Sequence, residues 1–173
     1  ASILTLARKH SGIESPQELA HLLHASKEPI LSREACKYII DSAQKKAGET
    51  GWTKDRHVQA PTCDIPTFAL DPPIQQWLRH AIVHQLFPIL ASAFPSEIGI
   101  DPQLLRIQDM FVVRYDGNDE DGPGFNHLKP HEDESIISLT IALNDMKEYE
   151  GGGLFIPCTE DLLNGDAGTV LAF

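Results

Sequence analysis

The first hundred residues carry apolar positions at helical spacing, and the remainder alternates apolar with polar residues. In "SPQELAHLLHAS", Leu19, Leu22 and Leu23 fall on one helical face. Ser15 is placed to cap that helix, Pro16 takes its first position, and Glu18 completes a capping box three residues after the cap. "SREACKYIIDSAQKKAG" repeats the plan from Ser32, with Cys36, Ile39, Ile40 and Ala43 as the stripe and Gly48 as the expected stop after Lys45 and Lys46. A third helix is predicted in "DPPIQQWLRHAIVHQLFPILASAF". Its apolar face uses Ile74, Trp77, Leu78, Ala81 and Ile82, and Pro88 should kink or split it. The intervening "GWTKDRHVQAPTCDIPTFAL" lacks a helical period and holds two prolines, which reads as loop with a short edge strand.

Near residue 103 the period changes to two. Leu105, Ile107, Phe111, Val113 and Tyr115 alternate with Arg106, Gln108 and Arg114, as in a half-buried strand. "ESIISLTIALND" alternates again, and "GGGLFIP" and "AGTVLAF" read as two further short strands. The pattern predicts an α+β chain: residues 1–100 mainly helical and supporting, residues 101–173 a β core, together one domain. A length of 173 residues is enough for one sizeable core. No internal repeat or low-complexity segment interrupts it.

Composition narrows the classes. The chain is 42% hydrophobic and 23% charged, as globular proteins are. A net charge of -11 argues against a general affinity for nucleic acid or an anionic membrane, because both need a basic surface. No run reaches the length a membrane span needs, and no leader is visible, so compartment stays open. Cys36, Cys63 and Cys158 form no CxxC pair, which fits free thiols or one optional bridge.

The chemistry concentrates in "LKPHEDESIISLTIALND". In extended backbone, residues two apart point to the same side, so His131 and Asp133 would aim an imidazole nitrogen and a carboxylate oxygen at one point. Those are two donors of the 2-His-1-carboxylate facial triad of non-haem iron oxygenases. On its own, H-x-D is short enough to be a polar turn before an ordinary strand. His127 is read as a loop histidine, because Pro130 opposes the helix that would bring it to His131. His80 and His84 share a helical face but have no H-E-x-x-H pattern and no third ligand, so they are read as surface histidines. The glycines 151–153 are expected to permit a tight turn and a close backbone approach.

The ordered segments "VVRYDG", "LKPHEDES", "LTIALND", "YEGGGLF" and "GDAGTVLAF" resemble the prolyl and lysyl hydroxylase branch of the 2-oxoglutarate and Fe(II)-dependent dioxygenases. The resemblance covers residues 105–173 well and residues 29–100 more faintly, through "ILSREACKYII", "GW" and "CDIP". It implies a double-stranded β-helix, or jelly roll, with the helices packed outside. It implies His131 and Asp133 as iron ligands, and Tyr115 and Thr140 as contacts of 2-oxoglutarate. Thr140, nine residues past His131, is placed on the same strand face. The same residues also read as a rim tyrosine and an ordinary strand threonine. Fe(II), 2-oxoglutarate and O2 are the implied cofactor and cosubstrates, with ascorbate as a reductant. The implied reaction hydroxylates an unactivated C–H bond of a prolyl or lysyl side chain in a peptide or protein. The acidic "DGNDEDGPGFNH" is expected to form a lid beside the site.

The family pattern also needs a third histidine and a basic residue that anchors 2-oxoglutarate. No histidine follows His131, and "VLAF" closes the sequence inside an apparent strand, so the last jelly-roll strands and both missing groups are expected in a longer parent chain. The competing class is a non-catalytic jelly-roll binding module with an incomplete metal site. A cupin-type metal enzyme would more often show H-x-H, which is lacking here.

Overall fold

The computed structural model describes residues 23–58, 60–94, 101–117, 125–131, 133–156 and 161–173. Ser32 opens the long helix α1 (Arg33–Thr50) as the sequence predicts, its hydroxyl accepting the Ala35 amide at 3.2 Å. Cys36, Ile39 and Ala43 are its buried stripe. The helix runs through Gly48 and stops two residues later than its C-terminal pattern predicts. Gly51 ends it, at φ 78°, and donates its amide to the Ala47 carbonyl at 2.8 Å. The end of a helix favours a residue with positive φ, and a glycine inside the helix does not impose one.

The predicted third helix is present in three pieces. α2 (Pro72–Ala81) begins on two prolines, a π turn spans Ile82–Leu86, and α3 (Phe87–Ala93) completes the rod. Pro88 has no amide for the His84 carbonyl and its ring crowds that carbonyl. The backbone widens just ahead of it, with the Phe87 amide reaching Ile82. Ile74, Leu78 and Ala81 pack with α1, while Ile82, Leu86, Phe87 and Leu90 form a second cluster. Trp77 stands at the margin of the stripe and stays exposed rather than buried.

Of the segment predicted as the first helix, residues 15–22 lie outside the described residues. Its last part departs from that reading, because His24–Ala25 is a strand, β1. Pairing wins there: β1 is antiparallel to β7 (Val170–Ala172), which also pairs with β4 (Leu139–Ile141), giving the order β1-β7-β4. A second sheet pairs β2 (Asp64–Pro66) with β3 (Phe111–Val113), and β5 (Leu154–Ile156) forms a hairpin with β6 (Asp161–Leu163). Molecule-wide the described residues are mixed helix and strand, with three small antiparallel sheets, none of them closed.

Two long alternating runs are thus short strands. Between Leu105 and Tyr115 only Phe111–Val113 forms a ladder, extended by one bond from the Arg114 amide to the Cys63 carbonyl. Between Glu134 and Asp145 the strand is Leu139–Ile141, extended by hydrogen bonds of Ser138 to Phe173 and of Ala142 to Thr169, after a run of bends over 134–137. The three-stranded sheet has distinct faces. Ile137, Leu139, Ile141, Val170 and Ala172 pack onto the second apolar cluster, which leaves Ser138, Thr140 and Leu171 on the other face. The glycines 151–153 all take positive φ, and a Cβ on Gly153 would stand 2.8 Å from the Leu163 carbonyl oxygen. The close approach to the partner strand of the hairpin is at Gly153 alone, since a Cβ on Gly151 would meet nothing within 4 Å and one on Gly152 only the Tyr149 ring.

Candidate metal centre

His131 follows Pro130 in irregular backbone, so a neighbouring carbonyl rather than a ladder fixes its ring. His131 Nδ1 lies 2.8 Å from the Lys129 carbonyl oxygen. A carbonyl only accepts, so Nδ1 carries the proton and the neutral ring keeps its lone pair on Nε2. That nitrogen faces Asp133 Oδ1 at 3.2 Å. Two lone-pair-bearing atoms at this distance need a cation between them, either a proton on the ring or a metal. Two neighbouring ligands at right angles, each about 2.1 Å from one ion, would themselves be about 3 Å apart. The spacing suits an imidazolium–carboxylate hydrogen bond and two ligands of one metal equally, and the pair lies half-buried at the surface.

Asp133 is held from behind. Its Oδ2 accepts a hydrogen bond from the Ser138 hydroxyl, and Ser138 Oγ lies 2.8 Å from Ser135 Oγ. Both serines were legible only as polar positions of an alternating run. The available signal was a hydroxyl at the start of the strand that follows H-x-D.

Thr140 shares the face of Ser138, because residues two apart in a strand point alike. Placing it there by counting nine residues from His131 does not work, since an odd spacing along one continuous strand gives opposite faces. The bends at 134–137 break the strand and reset the alternation. Ser138, through its hydrogen bond to Asp133, is what puts Thr140 on the side of His131 and Asp133.

Tyr115 lies two residues beyond β3 and outside the hydrogen-bonded group of His131 and Asp133 among the described residues. It is 54% exposed, yet desolvation raises its pKa above the ordinary phenol value.

Among the described residues the other histidines do not join the pair. His127 Nδ1 lies 2.6 Å from Asn126 Oδ1 on an exposed loop. The exposed rings of His80 and His84 lie 4.4 Å apart, centroid to centroid, tilted by 44°. Among the described residues no group of three or more His, Cys, Asp or Glu side chains could hold a metal. His131 and Asp133 are two donors, and a third is not among these residues. Most of the acidic "DGNDEDGPGFNH" segment, residues 118–124, lies outside the described residues, as does Cys158. Cys36 and Cys63 are both buried.

The chain is distantly related to a hydroxylase. Over 132 residues, 73% of its length, it is 30% identical to the "Multifunctional procollagen lysine hydroxylase and glycosyltransferase" of Caenorhabditis elegans. It spans 17% of that protein's length. No protein-family model matches the chain, and no solved structure does.

Proposed function

We propose that this chain is the metal-binding part of an Fe(II)- and 2-oxoglutarate-dependent hydroxylase acting on a lysyl or prolyl side chain of a peptide or protein. The observation that carries the reading is the His131 Nε2–Asp133 Oδ1 spacing of 3.2 Å, with the ring tautomer fixed by the Lys129 carbonyl. The related nematode protein is by name a lysine hydroxylase, which favours lysyl over prolyl.

In this reading His131 binds the metal through Nε2 and Asp133 through Oδ1. The bound Fe(II) would supply the redox chemistry that activates O2. Tyr115 and Thr140 each offer a hydroxyl to 2-oxoglutarate. The Tyr115 phenol is protonated at neutral pH, as any ordinary phenol is, and so can donate. Among the described residues the apolar cluster with helical residues packs on one face of the three-stranded sheet, and this supports a jelly-roll arrangement with a second sheet over the Ser138–Thr140 face.

The test is anaerobic addition of Fe(II) and 2-oxoglutarate to the full-length protein, followed by visible absorption. A metal-to-ligand charge-transfer band is expected, and His131→Ala should abolish it. No band, or a band undiminished in His131→Ala, would defeat the proposal. The second reading is a non-catalytic jelly-roll binding module, favoured by the presence of only two donors among the described residues. It predicts peptide binding with no such band.

A further inference from the structure

We infer that Ser138 is a positioning residue, which holds Asp133 so that the carboxylate meets a metal through Oδ1 alone. The inference rests on the reading of His131 and Asp133 as metal ligands. Its evidence is a chain of contacts running from the rigid sheet to the ligand.

Ser138 extends the β4–β7 ladder by one residue. Its amide donates to the Phe173 carbonyl at 2.7 Å, and its carbonyl accepts from the Phe173 amide at 2.9 Å. The backbone that carries Asp133 has no such ladder, because bends occupy 134–137. The Ser138 hydroxyl therefore transfers the rigidity of the sheet to a carboxylate on irregular backbone.

The direction of the hydrogen bonds follows from valence. A hydroxyl has one proton, and an ionised carboxylate only accepts, so Ser138 donates to Asp133 Oδ2. The 2.8 Å contact between Ser135 Oγ and Ser138 Oγ must then run from Ser135 to Ser138. Each bond in such a chain polarises the next, and the last is charge-assisted. With Oδ2 engaged, Oδ1 is the oxygen left to face His131 Nε2, and that is the oxygen found at 3.2 Å. Without the serine, the carboxylate could rotate, or chelate through both oxygens and take a position that a cosubstrate needs.

Groups that orient metal ligands typically change affinity by roughly 10–100-fold when removed. Co(II) is the probe, titrated into the full-length protein with calorimetry and visible absorption as readouts. Ser138→Ala should bind Co(II) about 10–100-fold more weakly, with an altered ligand-field spectrum, while Ser138→Thr keeps the hydroxyl and restores both. Ser135→Ala removes only the outer hydroxyl and should give a smaller loss in the same direction. It also serves as the probe if Ser138→Ala fails to fold. Wild-type affinity and spectrum in the folded Ser138→Ala protein, or in Ser135→Ala where that variant substitutes for it, overturn the inference while leaving the metal reading intact. Failure of that reading looks different: the wild-type protein binds no Co(II), or His131→Ala binds it equally well.

Discussion

Gly168 stands where two backbones cross. Its carbonyl accepts the Ile30 amide at 2.8 Å, its amide donates to Ala142 at 2.8 Å, and its φ is 91°. A Cβ placed there would overlap the Leu31 carbonyl oxygen. Gly168→Ala therefore meets both a disfavoured backbone conformation and a collision with a main-chain atom. A loss of about 1–3 kcal/mol is expected from the backbone alone, measured by urea denaturation. Gly48 is the opposite case. It lies inside α1 with nothing within 4 Å of a would-be Cβ, so Gly48→Ala should stabilise by about 0.5–1 kcal/mol in the same assay. The sequence shows two glycines in either place, and only the φ and the neighbouring carbonyl tell them apart. Equal effects of the two substitutions would contradict this account.

Helix starts were more legible than helix stops, and helices more legible than strands. Ser32 could be assigned because its cap is local, with the hydroxyl and the amide it satisfies three residues apart. Ser32→Ala should cost about 1 kcal/mol, read as a lower thermal midpoint with unchanged far-ultraviolet dichroism. A variant as stable as the wild type would show that α1 is held by its buried stripe alone. Pro88 was equally local, since it forbids one hydrogen bond wherever it sits in a helix. The form of the response, a π turn over Ile82–Leu86, depends on packing that residue spacing does not encode. The strands were legible as alternation but not as lengths. Ile107 and Leu105 alternate correctly and pack on the second cluster, yet among the described residues no partner strand pairs with them. His24–Ala25 is strand because Ala172 and Leu171 lie opposite, a contact across nearly the whole chain. The His131–Asp133 pair divides the same way. H-x-D and the Lys129–Pro130 context are local, whereas Ser138 matters because Phe173 holds it in register.

Contacts between distant segments also join the helical and β parts, and the buried Asp145 carboxylate is one junction of this kind. Arg33, at the start of α1, grips it through Nε at 3.1 and 3.0 Å and through Nη2 at 3.0 Å. The Ala167 amide, just ahead of β7, donates to Oδ1 at 3.2 Å. One side chain thus ties the first helix to the segments following β4 and preceding β7. The Arg33 hydrogen bonds, then the Ala167 amide and the charges of Arg33 and Lys147, outweigh burial and hold the Asp145 pKa below its ordinary 3.8. Because the folded-state pKa is the lower one, the unfolded chain takes up the proton first as the pH falls. The contribution of Asp145 is therefore complete above the ordinary carboxylate value and is lost progressively below it. Asp145→Asn keeps the shape but removes the charge, so it should lower the thermal midpoint at neutral pH. The gap to wild type should hold down to roughly pH 5 and close as the pH approaches 2, followed by calorimetry across that range. A gap that stays constant to pH 2 would mean that shape and neutral hydrogen bonding, rather than the charged contact with Arg33, hold α1 to the sheet.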